Sequence, residues 1–318
     1  MQSARSSREG AYGYSRRPVT DLVVATPVFL DLTFAGLESL PALGEERFAA
    51  ELLRSPGGGA ITAVAAARLG LSVAVAAPLG DDVAGDLVRS ALSDEQVEVI
   101  MTRSASRTPT TVVLPVGGDR AMVTVDPGIR ASAVDIVARA PTAVAANLDL
   151  LHVVPAGVRA YITCGDDEAR AYAGRPPAAL ADTRALFVNR TEALALTGEV
   201  TVDRAAARLG ELVETVVVTV AADGAVASLG GEIVAVPAER VEDPVDTTGA
   251  GDLLVAAYIW ADFRGAEPAD RVRWAVLYAS LSVTTPTGIG GALTEASLLE
   301  VGIARGLDVP PLAGAARV

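Results

Sequence analysis

Short apolar, β-branched runs alternate along this chain with Ala- and Leu-rich segments, and that alternation constrains its fold more than any other feature. Residues 19–29, 73–77, 150–154, 185–188 and 215–220 have the near-continuous apolar character of strands buried on both faces. Between them, residues 61–69, 82–92, 191–196, 203–209 and 252–260 have helical composition. The pattern predicts an α/β fold with a central, mostly parallel sheet covered by helices on both faces. Arg68-Leu69-Gly70 and Arg208-Leu209-Gly210 each place glycine just beyond a helix end. Two stretches break the alternation. Residues 110–116 and 121–125 flank Gly117-Gly118-Asp119, residues 225–229 and 233–236 flank Gly230-Gly231, and both read as β-hairpins. The first hairpin and the segment from Asp31 to Leu53 lack helical cover, which predicts a small β-sheet lid over residues 31–54 and 106–126. The lid belongs to one domain spanning residues 19–310. Residues 1–18 carry four arginines among Ser and Gly with no apolar stretch, so they read as a disordered tail without a secretory signal.

Composition removes whole classes of chemistry. The 318 residues include no lysine, one histidine (His152) and one cysteine (Cys164). A P-loop NTPase, a protein kinase and a Schiff-base enzyme each need a lysine. One histidine and one cysteine cannot assemble a Cys/His zinc site or an internal disulfide. His152 lies in the run Leu150-Leu151-His152-Val153-Val154, which reads as a strand, so a core or strand-end histidine is preferred over a triad member. A net charge of −13 offers no field for nucleic acid. The longest uncharged run, residues 274–294, is broken by Pro286, Gly288, Gly290 and Gly291, and reads as a buried helix followed by a glycine-rich loop rather than a membrane span. The expected compartment is the cytoplasm.

Three segments carry chemistry. Asp246-Thr247-Thr248-Gly249-Ala250-Gly251-Asp252 runs directly into the apolar residues 253–260. Small residues before a helix leave its first N–H groups bare, and with the helix dipole they form an anion site. A carboxylate beside such a site repels its anion unless it has a task, such as taking the proton of a hydroxyl that attacks a phosphate. Capping by Asp246 or Thr248 explains the same residues without chemistry. Gly57-Gly58-Gly59 opens a second helix, with Gly80-Asp81-Asp82 and Gly85 beyond the next strand. Thr62 stands where a dinucleotide fingerprint needs its third glycine, so a Rossmann dehydrogenase is rejected. Asn189-Arg190-Thr191-Glu192 marks a strand-to-helix junction, either as a cap or as a holder of hydrated Mg²⁺.

In this order, the segments resemble the ribokinase-like (PfkB) carbohydrate kinase family from about residue 19 to about residue 299. Residues 246–252 match its carboxy-terminal motif Asp-Thr-x-Gly-Ala-Gly-Asp, residues 56–70 with 80–85 its amino-terminal motif, and residues 189–192 its Asn-x-x-Glu element. The resemblance implies an ATP-dependent phosphotransferase acting on a primary alcohol of a sugar. A nucleoside kinase of the same fold and a non-catalytic sugar- or nucleotide-sensing relative are the alternatives. It further implies Asp252 as catalytic base, with the N–H groups of Gly249, Ala250 and Gly251 as the anion hole. Asp31, Gly57, Gly58 and Ile61 fall at the substrate. Thr219, Gly224 and Thr248 fall along the nucleotide, with Ile289, Gly291 and Ala292 near its adenine. Asn189 and Glu192 fall near Mg²⁺, and Asp246 with Thr248 at a monovalent cation such as K⁺. A lid-mediated homodimer is implied as well. The chain departs from the family in three places: Ile61 replaces an Asn that contacts sugar, Ala221 replaces a Gly of the nucleotide turn, and Leu254 replaces a Phe. The interval before Asn189 is short, as if one βα unit were abbreviated.

Overall fold

The computed structural model describes residues 20–100, 106–116, 119–242 and 244–311. Strand β1 (Leu22–Val24) leads into β2 (Val28–Ala35), which pairs antiparallel with β3 (Glu51–Gly58). Helix α1 (Gly59–Arg68), β4 (Val73–Ala76), α2 (Val83–Asp94) and β5 (Glu98–Ile100) follow, then the hairpin of β6 (Thr110–Val116) and β7 (Asp119–Val125). Next come α3 (Ala133–Val137), β8 (Ala143–Asn147), β9 (Arg159–Thr163), α4 (Asp166–Tyr172), β10 (Ala185–Asn189), α5 (Arg190–Thr197), α6 (Val202–Gly210) and β11 (Thr215–Thr219). A second hairpin, β12 (Ala225–Leu229) and β13 (Glu232–Val236), precedes α7 (Ala250–Phe263), α8 (Pro268–Ser282) and α9 (Glu295–Ala304).

The main sheet has the order β13-β12-β11-β10-β9-β8-β1-β4-β5, parallel from β11 through β5 with the second hairpin antiparallel at one edge. Side chains alternate across a strand, and both faces are apolar here. Leu22, Val24, Tyr161, Phe187 and Val217 pack against α1, α7 and α8. Val23, Val144, Ile162, Leu186 and Val218 pack against α5 and α6 on the other side. The lid is a separate four-stranded sheet of order β3-β2-β6-β7. Its strand β6 is tied to the body where Asp82 caps α2. The Asp82 carboxylate accepts from Gly85 N (2.8 Å), Thr108 N (2.8 Å) and Thr108 Oγ1 (2.7 Å).

The alternation was a sound guide to fold class and a poorer one to certain strands. The expected strand over residues 19–29 is two strands parted at Pro27, one in each sheet, and Val19 lies outside the described residues, as does the expected tail 1–18. The run 150–154 is not a strand. It forms a 3₁₀ turn, Leu148–Val153, and His152 is exposed there with Nδ1 2.7 Å from Asp149 O, not buried. The neighbouring strand is β8, whose Ala-Val-Ala-Ala-Asn sequence has little β propensity and owes its place to burial on both faces. The interval before Asn189 holds β9 and the seven-residue α4. Gly70 takes the left-handed conformation expected of it, at φ +88°. Gly210 does not: it ends α6 in ordinary helical backbone, and glycine is needed because a Cβ would lie 2.1 Å from Ser228 Oγ. Glycines 117 and 118 of the first expected turn lie outside the described residues. Among the described residues, no helix is long and apolar enough to cross a membrane.

Candidate active site

The chemistry-bearing residues gather at the carboxyl ends of the parallel strands, where open α/β sheets bind their ligands. Gly249 precedes α7 with φ +80°, a left-handed turn that a side chain would strain. A Cβ there would also meet Ile61 Cδ1 at 2.8 Å and Gly288 Cα at 2.9 Å. No side chain caps α7, and among the described residues no acceptor engages the N–H groups of Gly249 and Gly251. Ala250 N makes only a long 3.4 Å bond to Thr247 O. A Cβ on Gly251 would enter open space, so the first turn of α7 is uncovered on that side. The turn is braced from behind by Asp246, whose carboxylate accepts from Thr248 N (2.8 Å) and Thr287 N (3.0 Å).

Asp252 stands in the first turn of α7, and Thr62 of α1 donates to its Oδ1 at 3.0 Å. Burial pushes this carboxylate up to about 7; the Thr62 hydrogen bond opposes the rise and the charge of Asp31 adds to it. Asp31 comes from β2 and is 8% exposed. Burial raises it to about 6, with the Thr111 hydroxyl on the adjoining strand opposing and the charge of Asp246 contributing. Two carboxylates with raised values, near enough for the charge of Asp31 to act on Asp252, therefore lie by the uncapped start of α7. Gly57 makes room for Asp31, because a Cβ there would lie 1.9 Å from Asp31 Oδ2. Gly58, at φ +59°, turns the chain into α1 against Pro27 and Phe29.

Ile61 was expected at the substrate. Its side chain is buried, with Cδ1 2.8 Å from where a Cβ on Gly249 would fall and 2.5 Å from where one on Gly288 would. Asn189 and Glu192 form a reciprocal cap on α5. Asn189 N and Nδ2 donate to Glu192 Oε2 (2.8 Å) and Oε1 (2.7 Å), and Glu192 N donates to Asn189 Oδ1 (2.9 Å). Burial raises Glu192 to about 7, the Asn189 N–H lowers it, and the charges of Asp166 and Glu168 raise it further. Thr219 ends β11 opposite Asn189, and Gly224, at φ +96°, closes the following turn where a Cβ would strike Val236 O at 2.1 Å. Ile289, Gly291 and Ala292 lie in the loop between α8 and α9, with Ile289 half-buried and the other two buried. Thr248 is in the turn before α7, its Oγ1 buried without a hydrogen-bond partner among the described residues.

Thr111, Thr287 and Arg120 escaped the sequence reading, as did the tie of Thr62 to Asp252. Arg120 of β7 reaches out of the lid, and its Nη1 donates to Thr247 Oγ1 at 2.9 Å. Each acts through a partner far away in sequence, and only the lone threonine in the Ala-rich α1 carried a visible sign.

A doubly covered parallel sheet, a β lid, and an acid beside uncapped helix amides define a ribokinase-like phosphotransferase architecture. The family model for the pfkB family carbohydrate kinases matches residues 49–295, and the chain belongs to that family. Solved structures share its fold. Arabidopsis thaliana ribokinase, complexed with ribose and ATP, is 24% identical with a TM-score of 0.72, covering 89% of this chain and 98% of that one. Adenosine kinase from Sinorhizobium meliloti is 20% identical with a TM-score of 0.73, covering 89% and 99%. Ribokinase from Cryptococcus neoformans, in complex with ADP, is 20% identical with a TM-score of 0.69, covering 89% and 99%.

Proposed function

We propose that this protein is an ATP-dependent sugar kinase that transfers the γ-phosphoryl group to a primary hydroxyl of a carbohydrate. The observation that carries this reading is Asp252 poised at about 7 beside the unpartnered amides of Gly249 and Gly251. In the proposed reaction Asp31 accepts hydrogen bonds from substrate hydroxyls and orients the sugar. Asp252 takes the attacking hydroxyl's proton as the oxygen–phosphorus bond forms, since no carboxylate deprotonates a free alcohol in advance. The amides of Gly249, Ala250 and Gly251 hold the transferring group, and positioning and electrostatics supply most of the acceleration. Thr219, Gly224, Ile289, Gly291 and Ala292 flank the nucleotide. The lid excludes water and limits ATP hydrolysis.

Among the described residues no three acidic, His or Cys side chains could cage a metal, so Asn189 and Glu192 fit Mg²⁺ only through its waters. The charges that raise Glu192 favour a cation nearby, and Mg²⁺ bound with the nucleotide would offset phosphate charge there. The unpartnered Thr248 Oγ1 beside Asp246 fits a monovalent cation such as K⁺. A homodimer through the lid is supported by the open edge of β7, where Met122, Val123 and Val125 are exposed. A need for ATP fits a cytoplasmic location. The test is ADP release with Mg²⁺ and ATP across sugars, sugar phosphates and nucleosides. A signal specific to one sugar class supports the reading. A signal from nucleosides alone replaces the acceptor, and silence with ADP still bound replaces the enzyme by a sensor.

A further inference from the structure

The loop between α8 and α9 has no regular structure, and its own hydrogen bonds are turn contacts such as Gly291 N to Thr287 O (3.3 Å) and Ala292 N to Ile289 O (3.1 Å). Gly290 and Gly291 give it little intrinsic stiffness. One side chain from elsewhere in the chain grips it twice. Arg68, the last residue of α1, donates from Nη1 to Ile289 O (3.0 Å) and to Ala292 O (2.6 Å). The same guanidinium donates from Nε to Glu95 Oε2 (3.0 Å) and from Nη2 to Glu95 Oε1 (2.6 Å), which fixes its plane. Four of its five N–H groups are thus committed, two to the loop and two to the residue that orients it. Neither partner is bulk-exposed: the side chains of Arg68 and Glu95 are 26% and 27% exposed. A lysine could not reproduce the fork, because its donors radiate from a single nitrogen. The far end of the same helix carries Ile61 beside Gly249 and Thr62 on Asp252.

We infer that Arg68, held by Glu95, is a positioning residue for the nucleotide. It locks the 289–292 loop in the shape that receives the base, and through α1 it sets that loop relative to the phosphate end of the site. The inference rests on the reading of this loop as the nucleotide's base-side wall. The test compares Arg68→Met, Arg68→Lys and Glu95→Gln with wild type, measuring ADP affinity by calorimetry with Mg²⁺ and amide exchange by mass spectrometry. Arg68→Met is expected to weaken ADP by about tenfold or more and Glu95→Gln by about threefold, the worth of two charge-assisted bonds and of their orientation. Arg68→Lys is expected to recover only part of the loss. Exchange in residues 286–293 quickens in the same order, while residues 249–251 stay within about twofold. ADP affinity within about twofold of wild type in the folded variants overturns the role of Arg68, as does faster exchange spread equally over loop and turn. If Arg68→Met fails to fold, Arg68→Lys and Glu95→Gln decide alone. Wild-type protein that binds no ADP overturns the nucleotide reading itself, and this inference with it.

Discussion

Asp252, Asp31 and Glu192 each hold a proton more tightly in the folded protein than in the unfolded chain, at about 7, 6 and 7 respectively. A raised carboxylate binds more protons when folded, so between its ordinary value and its raised one stability falls as pH rises. The site is therefore a burden on the fold near neutrality, as a site built to bind and react can be. Asp252→Asn is expected to raise Tm by roughly 2 °C or more at pH 8 and by less at pH 5, measured by calorimetry. An equal shift at both pH values would refute the burial argument. For activity the sign reverses: kcat/KM is expected to rise with pH through about 7 as the free enzyme's base ionises. Gly57→Ala is expected to raise the acceptor KM by about tenfold or more while ADP affinity stays within about twofold, because the added Cβ displaces Asp31 alone. Ala221 shows the opposite kind of local misfit. It sits at φ +53° in the turn before Gly224, where glycine would be unstrained, so Ala221→Gly is expected to stabilise by about 0.5–1 kcal/mol in denaturant titration.

At the scale of elements, the sequence was most readable where burial and turn chemistry agree. Both hairpins, the end of α1 at Gly70 and the capped start of α5 at Asn189 could be seen because glycines and caps act within a few residues. Strand β8 was hidden because alanine has no strand preference of its own, and the apolar run after it drew the assignment to a 3₁₀ turn instead. Within the site, the motif residues were legible and their supports were not. The Asp252–Thr62 bond joins residues 190 positions apart, and Arg68 reaches Ala292 across 224. No local pattern announces such pairs. The lid's tether is another. Thr108→Val should leave Gly80 N and Asp82 short of their partner, costing about 1–3 kcal/mol in unfolding experiments.

Over the whole molecule, stability and the proposed chemistry lie at opposite ends of α7. Asp252 begins that helix at the open site, while Asp262 near its far end is buried among Arg184, Arg271 and Tyr161. Burial would raise Asp262, yet its hydrogen bonds to Arg184 and Tyr161 and the charges of Arg271 and Arg184 hold it below the usual carboxylate range. Asp262→Ala leaves Arg184, Arg271 and the more distant Arg159 without their shared anion, and is expected to cost about 3–5 kcal/mol with ADP affinity unchanged in the folded fraction. The division means that the two ends can be altered separately. The central claim is that Asp252 is the base of a phosphoryl transfer. It is tested most directly by kcat of Asp252→Asn on the acceptor that gives wild-type ADP release, with ADP binding measured alongside. A fall of roughly 10²–10⁴ with ADP affinity retained is the predicted result; wild-type turnover in the variant would contradict it.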